Sequence, residues 1–163
     1  MTSIFGLPAH PFFAHIPVVL IPLGALGAVA MLWPRVRDRI GWWVVALVLV
    51  AGLSTQLAIS SGKSLRRYVP ETALVRAHTH LGENIRPWVL LMFLSLVGVM
   101  LLARRGGRRA AVVVVASLSI AFSAVSVYWI YRIGHSGSKA VWAKTQTRID
   151  HGLTNERGGE NGR

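Results

Sequence analysis

The organisation of this chain follows from residues 6–33, GLPAHPFFAHIPVVLIPLGALGAVAMLW. From Phe12 to Trp33 the stretch holds no Asp, Glu, Lys or Arg, and it exceeds the ~20 residues that cross a bilayer as a helix. Two histidines, His10 and His15, stand at its entrance. A histidine that enters a bilayer is costly and usually has a polar partner. We therefore predict a first membrane span over 12–33, with partners for its histidines supplied by the rest of the chain.

Composition places the whole chain in a membrane. Its 53% hydrophobic content is too high for an ordinary soluble protein, although 18 Lys and Arg against 6 Asp and Glu give a net charge of +12. The basic residues cluster between apolar runs, as at membrane flanks, and no signature of nucleic-acid binding accompanies them. The absence of cysteine excludes disulfides, cysteine-ligated iron–sulfur clusters and covalently attached c-type haem.

The apolar runs predict an all-α integral membrane four-helix bundle, with spans at about 12–33, 41–60, 87–103 and 110–131. Between spans two and three, Pro70-Glu71-Thr72 has the character of a helix start and predicts an amphipathic helix towards Gly82. The membrane domain covers 1–147, and the polar residues 148–163 are predicted to be a disordered tail. Within the spans, Thr55 and Gln56 are too polar for lipid and are expected to point inward, and Ser119, Ser123 and Ser126 form a stripe that predicts a packing seam.

Arginines decide the predicted orientation. The two short turns between spans hold seven of them, and dense positive charge favours the cytoplasmic side. We therefore expect a multi-pass protein of the bacterial cytoplasmic membrane with both termini extracytoplasmic. Whatever the orientation, four spans place the N-terminus, the long loop and the segment after span four on one side. Five histidines share that side: His10, His15, His78, His80 and His135.

Each histidine has an ordinary explanation in a loop, a helix cap or a hydrogen bond, and only their coincidence at one face suggests a site. The leading interpretation is haem b held by two histidines from facing helices, for electron transfer. His15 and His80 are the best axial candidates, with His135 as the substitute and His10 nearby. The propionates would meet arginines, for which the candidates are Arg76, Arg86 and Arg132.

Two alternatives stay open beside haem. His15, His80, Glu83 and His135 offer imidazole and carboxylate ligands that suit zinc, iron or copper. A structural or accessory subunit without a cofactor would use the same polar groups to fasten helix ends. No hydrolytic constellation is present, so an electron carrier or accessory subunit is favoured over a stand-alone enzyme. Beyond the lipid bilayer, the candidate partners are quinol, an extracytoplasmic redox protein and a second copy of the chain, with nucleic acid not expected.

Three motifs resemble those of a widespread bacterial family of four-span predicted membrane proteins without an assigned function. They are the opening motif Gly6-Leu7-Pro8-x-His10-Pro11-x-x-x-His15-x-Pro17, the segment His80-Leu81-Gly82-Glu83, and the closing motif RIGHSGSKAVW at 132–142. The resemblance covers residues 4–142 and carries over His10, His15, His80, Glu83 and His135, while His78 lies outside it. It also implies redox work, because such modules are found joined to Rieske or c-type cytochrome domains.

Overall fold

The computed structural model describes residues 3–4 and 6–152, which are almost entirely helical. A two-residue strand β1 (Ser3–Ile4) pairs antiparallel with β2 (Leu7–Pro8), and Gly6 turns the chain between them at a φ of 77° that glycine adopts freely. The helices that follow are α1 (Ala9–Ala30), α2 (Pro34–Leu65), α3 (Ala73–Asn84), α4 (Arg86–Arg104) and α5 (Arg109–Asp150), with a single 3₁₀ turn at Arg66–Tyr68.

Within residues 3–4 and 6–152, four helical stretches are long and apolar enough to cross a membrane: Ala9–Ala30, Pro34–Tyr68, Ala73–Arg104 and Arg109–Asp150. The prediction of an all-α, four-span bundle is therefore confirmed. The third stretch combines α3 with α4, and only α4 has the apolar length for the bilayer, because α3 carries Arg76 and Glu83. We therefore treat α3 as the predicted amphipathic helix that lies outside the hydrocarbon core.

The helix bounds differ from those predicted from the sequence. Helix α1 begins at Ala9 and so includes His10. Helix α5 runs past the predicted span end at Tyr131 as far as Asp150, so the first three residues of the predicted tail are helical. The physical reason is that no proline follows Pro87, and glycine costs a helix only ~1 kcal/mol. His151 and Gly152 form a turn, and residues 153–163, the remainder of that tail, lie outside the described residues.

Small residues let the spanning helices approach closely. A Cβ on Gly24 would lie 2.6 Å from Cγ2 of Val48, which places α1 directly against α2. The predicted serine seam is also present, since Ser119, Ser123 and Ser126 are buried and each donates its hydroxyl proton to a carbonyl one turn earlier on α5.

Two polar residues of α2 were predicted to point inward, and one of them does so. Thr55 is 5% exposed and donates its hydroxyl proton to the carbonyl of Ala51. Gln56 is exposed, so the inward prediction for it was wrong. Adjacent helical positions lie ~100° apart, and the buried face of α2 passes through position 55 and excludes position 56.

Candidate functional site

The histidines of interest lie at the end of the bundle where α1 begins, α2 ends, and α3 packs on the extension of α5. Contacts between α1 and α2 and between α3 and α5 build this end. The structure brings two of the histidines together there, and they are His10 and His78 rather than the predicted pair.

His10 is held from the first turn of α1 against the last turns of α2. Its Nδ1 lies 2.9 Å from the carbonyl oxygen of Ala58. A carbonyl oxygen only accepts, so Nδ1 carries the proton and the lone pair of the neutral ring is on Nε2. Gly62 makes the close approach possible, because a Cβ there would lie 3.0 Å from Nδ1 of His10.

His78 is held from α3 against α5 in a parallel way. Its Nδ1 lies 3.0 Å from Oγ of Ser136, and that hydroxyl donates its one proton to the carbonyl of Ile133 at 2.9 Å. When the hydroxyl donates to Ile133 in this way, it can only accept from His78, which then carries its proton on Nδ1 and its lone pair on Nε2. Gly137 leaves space for the ring, since a Cβ there would lie 3.1 Å from Cε1 of His78.

The imidazoles of His10 and His78 lie close together, edge to face, at this end of the bundle. Their ring centroids are 6.1 Å apart, and the ring planes meet at 80°. Burial lowers the pKa of His78, the charge of His10 lowers it further, and a hydrogen bond to the Ile133 backbone opposes both. The uncharged ring is therefore favoured at position 78, and neutral imidazole is the form that binds metals. We call His10 and His78 the histidine pair.

The predicted axial residues lie apart from this pair in their contacts. His15 is exposed, and its Nδ1 contacts the carbonyl oxygen of Pro11 at 2.5 Å within α1. His80 is exposed as well, and its Nδ1 lies 3.2 Å from Nδ2 of Asn84 within α3. His135 is exposed on α5 and stacks on Tyr131, with ring centroids 6.1 Å apart and planes at 8°.

The remaining predicted residues are held by neighbours other than the histidine pair. Glu83 accepts from Nζ of Lys63 at 2.8 Å, and the hydrogen bond and charge of Lys63 lower the pKa of this carboxyl group. Arg132 donates to the hydroxyl of Tyr128 at 2.7 Å and lies over its ring. Arg76 and Arg86 are exposed.

A polar cavity of about 430 Å³ opens beside Glu83. It is lined by Lys63, Arg66, Arg67, Glu71 and Glu83. Its charges are partly paired already, because Arg66 contacts Glu71 and Lys63 contacts Glu83.

Across residues 3–4 and 6–152, no group of three or more histidine or acidic side chains is arranged to hold a metal ion. The alternative set of His15, His80, Glu83 and His135 is therefore not assembled in that part of the chain. Among the described residues the imidazoles of His10 and His78 lie close together, and two ligands are fewer than an ordinary zinc site needs.

Sequence reasoning did not predict that His78 would lie close to His10, although the helical periodicity of α3 offered a signal. Positions 78 and 80 lie on different faces of a helix, and the candidate site was predicted on the face that carries His80 and Glu83. The two imidazole rings pack against glycines on other helices, Gly62 and Gly137. Only the packing of α1 on α2 and of α3 on α5 reveals that relationship.

A family model described as "Predicted membrane protein (DUF2231)" matches residues 6–148. The chain belongs to this family. The match to DUF2231 covers all four spanning helices and both members of the histidine pair, and it confirms the resemblance drawn from the sequence motifs. No curated protein and no solved structure was found that matches the chain. The family is described as one of predicted membrane proteins, which supports the membrane assignment of this chain. The function of the family is unknown.

Proposed function

We propose that this membrane protein binds one haem b between His10 and His78 and serves as an electron carrier at the extracytoplasmic face. The observation that supports it best is the close approach of two imidazoles, that of His10 on α1 and that of His78 on α3. The proposal keeps the cofactor expected from the sequence and moves its axial ligands from His15 and His80 to the histidine pair.

The spacing of the two rings fits a shared metal. An imidazole nitrogen binds a metal at ~2.0–2.1 Å and the ring centre lies ~1 Å further away, so two rings on opposite sides of one metal have centres ~6 Å apart. The observed separation is 6.1 Å. Each ring also donates from Nδ1 to a protein acceptor, the arrangement that orients metal-binding histidines and raises their basicity.

The number of ligands favours haem over a bare metal ion. A structural zinc takes four protein ligands and a catalytic zinc three, whereas the porphyrin supplies four of the six ligands of haem iron. Two converging histidines suffice only in the second case. When bound, haem would supply one-electron redox chemistry, and the chain's own contribution would be to orient Nε2 of each ring and, through the lowered pKa of His78, to favour the neutral ring at that position.

Location suggests how the electrons would enter and leave. The pair lies in the first turn of α1 and on α3, outside the hydrocarbon core, where quinol at the interface or an extracytoplasmic redox protein could approach. Arg76 and Arg86 are exposed at this end and remain the proposed contacts for propionates. Arg132, held on Tyr128, would need to leave that ring to take part.

The decisive experiment is a visible spectrum of detergent-purified protein, oxidised and then reduced with dithionite, with iron measured on the same sample. We expect sharp bands on reduction and stoichiometric iron. His10→Gln and His78→Gln should each abolish the bis-histidine spectrum. His15→Gln and His80→Gln are matched controls at the same end and should leave it unchanged.

Two results would contradict the assignment in different ways. If His15→Gln or His80→Gln removes the bands and the changes at 10 and 78 do not, haem binds at the originally predicted ligands. If haem reconstituted into the purified protein gives no bands and no iron is retained, haem binding itself is refuted. Zinc or copper measured instead of iron would favour the metal alternative.

A cofactor-free role is the second candidate, and the same contacts support it. The hydrogen bond from His10 to Ala58 ties α1 to α2, and that from His78 to Ser136 ties α3 to α5. In that case His10→Gln and His78→Gln would lower thermal stability in protein that never carries haem, because a buried hydrogen bond contributes ~0.5–1.5 kcal/mol.

A further inference from the structure

The opposite end of the bundle carries a concentrated positive charge. Seven arginines lie in and beside the two short turns, and we call them the arginine face: Arg35, Arg37, Arg39, Arg104, Arg105, Arg108 and Arg109. The two turns are neighbours in space, because the guanidinium of Arg104 lies 5.5 Å from the ring centroid of Trp42. Asp38 is the single acidic residue in these segments.

The backbone adds to this positive charge. Helices α2 and α5 both begin at this end, with no acidic residue in the first turn and no side-chain cap on either. A helix N-terminus carries about half a positive charge, so arginines placed there raise an already positive potential. An anion at this face would relieve that repulsion.

One of these arginines, Arg37, has an N–H group without a hydrogen-bond acceptor in the described part of the chain. The side chain of Arg37 is only 16% exposed, and its buried Nε has no hydrogen-bond partner within the described part of the chain. The nearest carboxylate oxygen, Oδ1 of Asp38, is 3.6 Å away, too far for a hydrogen bond, and that side chain is 70% exposed. An unpaired guanidinium N–H is costly, so the Arg37 side chain would gain by turning its buried Nε towards an oxygen supplied from outside the protein.

The surroundings identify the source of that oxygen. Trp33 and Trp43 are 61% and 78% exposed beside the arginines, and Trp42 is partly exposed under Arg104. Exposed tryptophans at the end of spanning helices mark the level of lipid headgroups. A lipid phosphate at that level would lie between the two turns, and guanidinium groups bind phosphate with geometric specificity.

We propose that the arginine face is a binding site for the phosphate of an anionic phospholipid, with Arg37 as its central donor. This inference is independent of the haem proposal, because it concerns the other end of the bundle and none of the histidines. It distinguishes Arg37 from the exposed arginines around it, whose charge alone would attract anionic lipid only diffusely.

The test measures binding of individual lipids to the detergent-purified protein by native mass spectrometry. The probes are phosphatidylglycerol, phosphatidylcholine and inorganic phosphate. We expect phosphatidylglycerol to bind and the other two to bind far more weakly. Arg37→Gln should weaken phosphatidylglycerol binding by about tenfold, the loss expected for a charged hydrogen bond. The matched control Arg39→Gln removes the same charge from an exposed position of the same turn and should change binding less than about twofold.

Each other outcome overturns the proposal. Equal losses in the two variants would show a diffuse charge effect without a site. Equal binding of phosphatidylcholine would show no preference for anionic lipid, and phosphate that competes at equal concentration would show a small-anion site instead. If Arg37→Gln does not yield folded protein, Arg37→Lys keeps the charge and should still weaken phosphatidylglycerol binding relative to Arg39→Lys. Unchanged binding in Arg37→Lys would then refute the assigned donor.

Discussion

The packing of His78 against α5 can be tested by one methyl group. In Gly137→Ala the new Cβ would lie 3.1 Å from Cε1 and 3.4 Å from Nδ1 of the His78 ring, so the ring must give way by a few tenths of an ångström. That ring is held by the 3.0 Å contact between Nδ1 and Oγ of Ser136. Gly134→Ala is the matched control, because it lies three residues earlier on the same helix and its Cβ would meet nothing within 4 Å.

The expected difference in Tm comes from one interaction that only Gly137→Ala disturbs, because the change in helix propensity is common to both variants. Both replacements gain ~1 kcal/mol of helix propensity at most. Only Gly137→Ala disturbs the His78–Ser136 hydrogen bond, which is worth ~0.5–1.5 kcal/mol. The difference between the variants therefore isolates the ring contact, and at ~2–4 °C per kcal/mol it predicts a Tm about 1–6 °C lower for Gly137→Ala than for Gly134→Ala.

The assay is thermal unfolding of both variants in the same detergent, monitored by tryptophan fluorescence. If haem binds as proposed, Gly137→Ala should also shift or weaken the reduced absorbance bands, and Gly134→Ala should not. Equal Tm values for the two variants would refute the packing of His78 against Gly137. Unequal Tm values with identical spectra would keep the packing and argue against His78 as a ligand.

Two further predictions concern the core and the effect of pH. Gly24→Ala should be less stable than Gly52→Ala by ~1–3 kcal/mol. The reason is that the Cβ of Gly24→Ala would lie 2.6 Å from the buried Val48, whereas the Cβ of Gly52→Ala meets Val89 at an ordinary 3.6 Å. SDS titration of both variants measures the difference in stability, and equal values would contradict the close α1–α2 contact. The lowered pKa of His78 means that the folded state binds protons less readily than the unfolded state, so stability should fall as pH drops below about 6.5 and be flat above it. A Tm series at several pH values checks this, and an unchanged slope in His78→Gln would assign the effect to another group.

The sequence predicted the four spans well because apolar length is a strong local signal. Apolar length gives no such signal for how far α5 continues beyond span four, into the polar residues 132–150. No proline stops α5 there, and contacts with α3, including that of Ser136 with His78, stabilise the extension. Such support comes from a residue 58 positions away and has no local signature.

The sequence predicted which end of the bundle carries the histidines, but not which two of them lie together. Four spans bring alternate connections to one side, which follows from topology alone and explains why His10 and His78 meet. Which face of α3 turns towards the bundle depends on how α3 packs against α5, and that packing uses Gly137 and Ser136 rather than a hydrophobic stripe. None of the residues of α3 is fully buried, so hydrophobicity could not have distinguished the face of His78 from that of His80.

The position of the histidine pair also limits what one cofactor there can do. From His10 to the end of α1 at Ala30 the helix rises ~30 Å, the thickness of the hydrocarbon core. A single centre at this end would therefore be separated from the arginine face by a whole bilayer. Electron donor and acceptor would have to meet the protein on the same side. Such an arrangement suits a carrier that passes electrons between quinol and a redox protein at one membrane face, and it does not suit conduction across the membrane.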